Sequence, residues 1–388
     1  MRRQVSVWMA MVAVLLLGGG TARAEEPVKV GLVAALSGGS AKSGEGITRG
    51  LTIAIDEING AGGLLGRKVE LVRRDDESNP SKGQIAAREL IDQEKVVVIF
   101  GGIDSPVSLA ILPIANQSKV PYFSVWAAAT NITRNGTNPN YIFRVSAVDV
   151  LVDKALTNYA TKAFHAKKLG LMLVNNPWGE SNEKGLTAAA KERGIELAGV
   201  EKFEDNDVDM VPQLTRLRAA GADTLILVAN AAPGAQVMKS LQRSAWNVPV
   251  VSHWGISGGR FPELAGPGAQ KVEFIQTYSF FGPQNAVGQK VLAALKAKYP
   301  DIKGPADVVP PVGVANAYDA MHLVARAVKK AQSTDGDKMR QALETLDRYD
   351  GLIKSYDHPF SPENHDALGE NDYIMVHFVG EQIEPVTR

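Results

Sequence analysis

The chain has 388 residues, no cysteine, and 42 basic against 42 acidic side chains, a formal net charge of zero. Without cysteine it cannot build a disulfide framework, a thiolate metal site, an iron–sulfur cluster or a cysteine nucleophile, and balanced charge excludes the basic face that a nucleic-acid binder needs. At this length two domains are expected, and a hydrophobic fraction of 45 % is that of an ordinary globular protein.

Arg2 and Arg3, the apolar run from Val5 to Leu17, Gly18-Gly19-Gly20 and Ala22-Arg23-Ala24 read as a secretory signal peptide over residues 1–24, cleaved after Ala24. The run is short of the roughly 20 apolar residues that span a bilayer. Loss of Arg2, Arg3 and Arg23 takes the basic count from 42 to 39 against 42 acids, leaving a net charge of −3 on the mature chain. The residue after the cleavage site is Glu25 rather than the cysteine a lipid anchor uses. A free mature protein is expected, periplasmic in a cell with two membranes.

The mature chain alternates strands and helices. Val28 to Leu36 is an apolar run ending in Ser37-Gly38-Gly39, the pattern of a buried parallel strand and its loop. Ile47 to Ile58 then places Leu51, Ala54, Ile55 and Ile58 on one helical face, stopping at Asn59-Gly60. Strand Val69–Val72 and helix Pro80–Gln93 follow. Further strand-like runs are Val96–Phe100, Tyr122–Val125, Leu169–Val174, Thr224–Val228, Val248–Ser252 and Phe274–Thr277, with helical patterns between most of them. This alternation predicts an α/β protein with two doubly wound parallel sheets. Phe143-Arg144-Val145-Ser146 is a crossover between them and Thr277-Tyr278-Ser279-Phe280 a return. Helices over Val287–Tyr299 and Val312–Ala331 are expected to pack back on the first domain.

Ligands of open α/β sheets sit beyond the carboxyl ends of the strands. That directs attention to the loops Ser37–Gly46, Gly101–Ser105, Trp126–Thr130, Asn175–Gly179, Asn230–Gly234 and His253–Gly259. Gly44 to Gly50 resembles a dinucleotide fingerprint, but its last glycine is one residue late and Arg49 stands where that glycine belongs. Asp75-Asp76-Glu77 reads as a polar loop. In Gly101-Gly102-Ile103-Asp104-Ser105-Pro106, Ser105 suits a helix N-cap and Pro106 the first helical position. Such a terminus either receives a ligand carboxylate or merely caps its own helix. Asp205-Asn206-Asp207-Val208-Asp209 starts like a calcium loop, but Met210 and Arg216 replace its glycine and glutamate, which leaves a turn with Asp209 capping a helix. Gly255-Ile256-Ser257-Gly258-Gly259 matches a nucleophile elbow and makes a secreted esterase using Ser257 a remote alternative. The six histidines lack the i, i+4 spacing of a helical metal pair, so neither a metal site nor a cofactor is expected.

Three segments carry a family resemblance over essentially the whole mature chain. They are Val30-Gly31-Leu32-Val33-Ala34-Ala35-Leu36-Ser37-Gly38, the stretch Ile55 to Arg67 (IDEINGAGGLLGR), and Ala219-Ala220-Gly221-Ala222-Asp223. Together, in this order and behind a signal peptide, they resemble the branched-chain amino acid type of periplasmic binding protein, the solute receptors of ABC importers. The resemblance implies the type I periplasmic binding fold, two α/β lobes joined by three crossovers, the third near Tyr349–Tyr356. Lobe 1 would comprise residues 25–146 with 280–350, and lobe 2 residues 147–279 with 351–388. It implies a monomeric, non-enzymatic receptor that delivers a small molecule to an ABC permease in the inner membrane.

By the same resemblance Ser105 binds the ligand carboxylate. Ala127 and Ala128 stand where an alanine-threonine pair assists it, with Ala129-Thr130 as the alternative register. Trp178 in Asn176-Pro177-Trp178-Gly179 covers the ligand, Ser43 lies near the place of a missing aromatic, and Asn230 lies near another contact position. The acidic partner of the ligand ammonium is replaced by Trp254. Burying an ammonium without a carboxylate costs several kcal/mol, about three decades of affinity, whereas an indole offers an apolar face and one N–H. The expectation is therefore a receptor for an aromatic or apolar carboxylate without an α-amino group. The alternative is an amino acid or amide receptor of the same kind.

Overall fold

The computed structural model describes residues 26–387, so the expected signal peptide lies outside the described residues. The first half of the fold runs β1 (Val28–Ala34), α1 (Ala41–Gly60), β2 (Val69–Asp75), α2 (Pro80–Asp92), β3 (Ile99–Gly101), α3 (Ser105–Ser118), β4 (Tyr122–Ser124) and β5 (Ile142–Arg144). The chain then continues with α4 (Asp149–Phe164), β6 (Lys168–Val174), α5 (Pro177–Arg193), β7 (Glu196–Phe203), α6 (Val211–Ala219) and β8 (Thr224–Val228). After these come α7 (Ala231–Arg243), β9 (Val250–Ser252), α8 (Phe261–Ala265) and β10 (Val272–Gln276). The remainder is α9 (Ala286–Lys298), α10 (Pro311–Ala331), α11 (Gly336–Leu343), β11 (Tyr349–Asp350), β12 (Ser355–Tyr356), β13 (Ile374–Val379) and β14 (Gln382–Pro385).

Two sheets organise these elements into two lobes. The first has strand order β2-β1-β3-β4-β5 and is parallel throughout. The second has order β14-β13-β10-β9-β8-β6-β7. Its strands from β10 to β7 are parallel, and β13 and β14 add an antiparallel edge. Alternation along the chain thus produces the doubly wound lobes expected from sequence. Central strands are apolar on both faces because helices cover both: Val30, Leu32 and Phe100 are buried on one side of the first sheet, and Val33, Ile99, Leu90 and Ile111 on the other. Residues Phe143 and Arg144, read as crossover, belong to strand β5. The edge strand β7 and the pair β13–β14 went unforeseen.

The chain passes from the first sheet to the second after β5, leaves the second after β10 and rejoins it at β13. Helices α9 and α10 return to pack on α1. Their approach is close: a Cβ built at Gly50 of α1 would lie 2.3 Å from the carbonyl oxygen of Val314 on α10, so only glycine fits there. The buried carboxylate of Asp319 on α10 gathers the segment around β11 and β12, accepting hydrogen bonds from Leu352 N (2.7 Å), Ile353 N (2.9 Å) and Tyr356 Oη (2.8 Å). Near the first crossing, Arg144 and Asp366 form a buried ion pair at 2.8 Å. Arg144 also donates to Thr133 Oγ1 (2.6 Å) and to the Ala129 carbonyl (2.9 Å). Burial alone would raise the Asp366 carboxyl pKa, but Arg144 and the Thr133 hydroxyl hold it below the ordinary range.

Candidate functional site

The loops at the carboxyl ends of the strands of both lobes face one another. On the first lobe, α3 starts at Ser105, so its N-cap is Asp104 rather than Ser105, and Pro106 occupies the first turn. Asp104 makes no side-chain cap. Ser105, 2 % exposed, does not cap its helix either: its hydroxyl oxygen accepts a hydrogen bond from Ala129 N at 3.2 Å. Ala127 N is engaged by the Gly102 carbonyl at 3.0 Å, and the Ala128 carbonyl accepts from Asp149 N at 2.9 Å. The amide that faces Ser105 in this loop therefore belongs to Ala129. The Thr130 hydroxyl oxygen accepts from Val150 N at 3.1 Å. A serine hydroxyl and a backbone N–H meeting at a helix N-terminus are suited to a carboxylate, because donors and the helix dipole act together.

Aromatic rings form the opposite side. Asn176 Oδ1 accepts from Trp178 N (2.9 Å) and Gly179 N (3.1 Å), and Pro177 fits the first turn, so this Asn-Pro pair starts α5 and delivers Trp178 to the site. Trp126 and Trp254 have centroids 5.7 Å apart, His253 lies 5.7 Å from Trp254, and Trp178 stands edge-on to His253 at 5.0 Å. These four rings make a continuous buried wall across the lobes. Its apolar faces match an aromatic or apolar ligand body.

The lobes also meet through polar contacts. Ser43 Oγ donates to the Gly258 carbonyl at 3.1 Å, Asn230 Nδ2 to Asp104 Oδ1 at 2.9 Å, and Thr130 N to Ser181 Oγ at 3.0 Å. Ser43 and Asn230 thus link the two lobes. Asp76, which reads as part of a polar loop, is only 1 % exposed. Burial pushes its pKa from the ordinary 3.8 up to about 7, against the bond from Ser78 N and with a further contribution from the charge of Asp104. Asp104 is likewise raised by burial.

A carboxyl that stays protonated in the fold but ionises when unfolded favours folding in acid. The advantage is full below about 4 and gone as pH rises through about 7. Asp76→Asn is therefore expected to raise the melting temperature above wild type at pH 8 and to lose that gain as pH falls toward 4, measured by thermal denaturation across pH.

Ser257 Oγ donates to the Trp254 carbonyl (2.7 Å) and accepts from Gln276 Nε2 (3.0 Å), an arrangement that gives it no imidazole base. Asp209 accepts from Val211 N at 3.1 Å, while Met210 holds the N-cap position of α6. Among the described residues no group of three or more metal-ligating side chains is suited to a metal ion, and no helix is long and apolar enough to cross a membrane. Sequence reading missed Trp126, Asp149 and His253. The first and last lie in loops already singled out, and Asp149 directly follows the crossover, so position relative to the strands was the available signal.

The sequence profile described as periplasmic binding protein matches residues 27–379. A Leu/Ile/Val-binding protein homolog of Brucella melitensis is 24 % identical over 327 residues, covering 84 % of this chain and 85 % of the relative. A periplasmic binding protein type 1 from Bordetella pertussis superposes with a TM-score of 0.85 at 25 % identity, covering 93 % of this chain and all of the other. A solute-binding protein of an ABC transporter from Rhodopseudomonas palustris, solved with 3,4-dihydroxybenzoic acid, gives 0.76 at 24 % identity, covering 93 % and 96 % of the two chains.

Proposed function

We propose, from the premise that this chain belongs to the periplasmic binding protein family, that it captures a small organic carboxylate with an aromatic or apolar body and presents it to an ABC permease. One observation carries this reading: Ser105 Oγ and Ala129 N meet 3.2 Å apart at the start of α3, on a site whose other side is the ring series Trp126, Trp254, His253 and Trp178. The carboxylate enters between Ser105 and Ala129, and the ligand body lies on the indoles. Position 254 contributes an indole and no charge to pair with an α-ammonium group. The named relatives span both chemistries, a Leu/Ile/Val-binding homolog and a receptor solved with a dihydroxybenzoic acid.

The lobe assignment belongs to the same proposal. Residues 25–146 and 280–350 form lobe 1, residues 147–279 and 351–388 form lobe 2, and ligand contacts from both favour the closed arrangement. The pairing of β13 with β10 and the packing of α10 on α1 support this division.

The test is calorimetric titration of the mature protein with benzoate, 4-hydroxybenzoate, cinnamate, leucine and isoleucine. Binding of an aromatic acid is expected, and Ser105→Ala should weaken it by about 1–3 kcal/mol, the range for a hydrogen bond to a charged group. Micromolar leucine binding without any for the aromatic acids would overturn the ligand class in favour of an amino acid receptor.

A further inference from the structure

Asp149 begins α4 immediately after the first crossover, and it is fully buried. Its Oδ1 accepts from Trp178 Nε1 at 3.2 Å and lies 3.1 Å from His253 Nε2. The other ring nitrogen, His253 Nδ1, accepts from Trp254 N at 2.9 Å. That bond fixes the tautomer: with Nδ1 accepting, the ring proton sits on Nε2 and is donated to Asp149. One carboxylate oxygen thus holds the Trp178 ring directly and, through His253, the backbone amide of Trp254. The backbone of the same residue reaches the other lobe, where Asp149 N donates to the Ala128 carbonyl at 2.9 Å, next to the amide that faces Ser105.

We propose that Asp149 is the positioning residue of the binding site, locking the aromatic wall and the carboxylate-binding loop into one unit at the crossover. This rests on the functional reading above, since it assigns how that site is assembled. The arrangement answers a specific physical need. An indole ring in a wide cleft has several rotamers, and ordering it when ligand arrives costs affinity. A charge-assisted bond to the buried carboxylate fixes the Trp178 ring beforehand. The His253 ring that the same oxygen orients holds the Trp254 backbone and packs against its indole at 5.7 Å. Asp153, one turn further along α4, is also fully buried, and burial and the charge of Asp149 push its carboxyl pKa well up. It stands behind Asp149 on the same helical face.

The proposal separates position from charge. An asparagine at 149 keeps an oxygen that accepts both N–H groups, whereas an alanine removes it. Near-ultraviolet circular dichroism of the protein without added ligand reads the packing of Trp178 and Trp254 against His253, all three on the second lobe, and titration with benzoate and 4-hydroxybenzoate reads the site. Asp149→Ala is expected to lose the dichroism that Trp254→Phe also loses and to weaken binding roughly tenfold or more. Asp149→Asn should keep the signal and bind within roughly threefold of wild type. His253→Phe, which cuts only the link to Trp254, covers the case in which Asp149→Ala fails to fold, and should alter the dichroism and weaken binding while leaving Trp178 in place. Unchanged dichroism in both Asp149→Ala and His253→Phe would overturn the proposal, as would Asp149→Asn behaving like Asp149→Ala. Absence of any aromatic-acid binding by wild type refutes the ligand class instead and leaves the dichroism test standing.

Discussion

Asp366→Ala is expected to destabilise the protein by about 3–5 kcal/mol, the cost of leaving a buried charge without its partner. Arg144 is fully buried and its guanidinium has nowhere to find water. Two of its bonds survive the substitution, to Thr133 Oγ1 and to the Ala129 carbonyl, but both acceptors are neutral and do not compensate the charge. The loss should appear as a lower denaturant midpoint with an unchanged slope. Binding should weaken as well, because Arg144 Nη1 fixes the Ala129 carbonyl and the neighbouring amide faces Ser105. Asp366→Asn, which keeps an acceptor but not the charge, should fall between the two. In wild type the contribution of this pair is complete above the ordinary aspartate range and is lost as pH falls through the depressed pKa of Asp366.

Gly258→Val is expected to abolish tight ligand binding while leaving each lobe folded. A Cβ at this position would lie 2.1 Å from Ser43 Oγ and 3.3 Å from Trp126 Cζ2, both on the opposite lobe. Ser43 Oγ already contacts the Gly258 carbonyl at 3.1 Å, so a valine would hold the faces apart by the width of its side chain. A ligand then touches one lobe only, and the interactions that closure adds are lost. Affinity should drop by roughly two decades or more, about 3 kcal/mol. Small-angle scattering should show an open form that added ligand does not compact. Tight binding with normal compaction would place Gly258 outside the closing surface.

Much of this arrangement was legible in the residues themselves. Continuous apolar runs revealed the central strands because those are covered on both faces, and α10 followed from its apolar stripe. The loops holding Ser105, Trp178 and Trp254 followed from strand order alone. Elements under weaker constraint were not legible. Strand β7 is half-exposed at an edge and reads polar, and β5 has only three residues, too few for a period. Asp76 looks like any loop aspartate in sequence, although the folded chain leaves it only 1 % exposed. Asp149 and His253 are 104 residues apart, so their partnership exists only in the folded chain. The register of Ala127 to Thr130 depends on which amide the loop conformation leaves facing Ser105, which residue type does not encode.

The antiparallel addition at the end of the chain bears on how the protein behaves when crowded. A parallel sheet finished at β10 would expose a row of unpaired backbone groups to any neighbouring molecule. Instead β13 covers that row and β14, only Gln382–Pro385, becomes the margin. A four-residue border ending in a proline, which has no N–H to offer, is a poor template for a second chain. The C-terminal hairpin thereby leaves that side of the second sheet with a short margin that has one donor fewer, and the longer edge strand β7 as the sheet's other border.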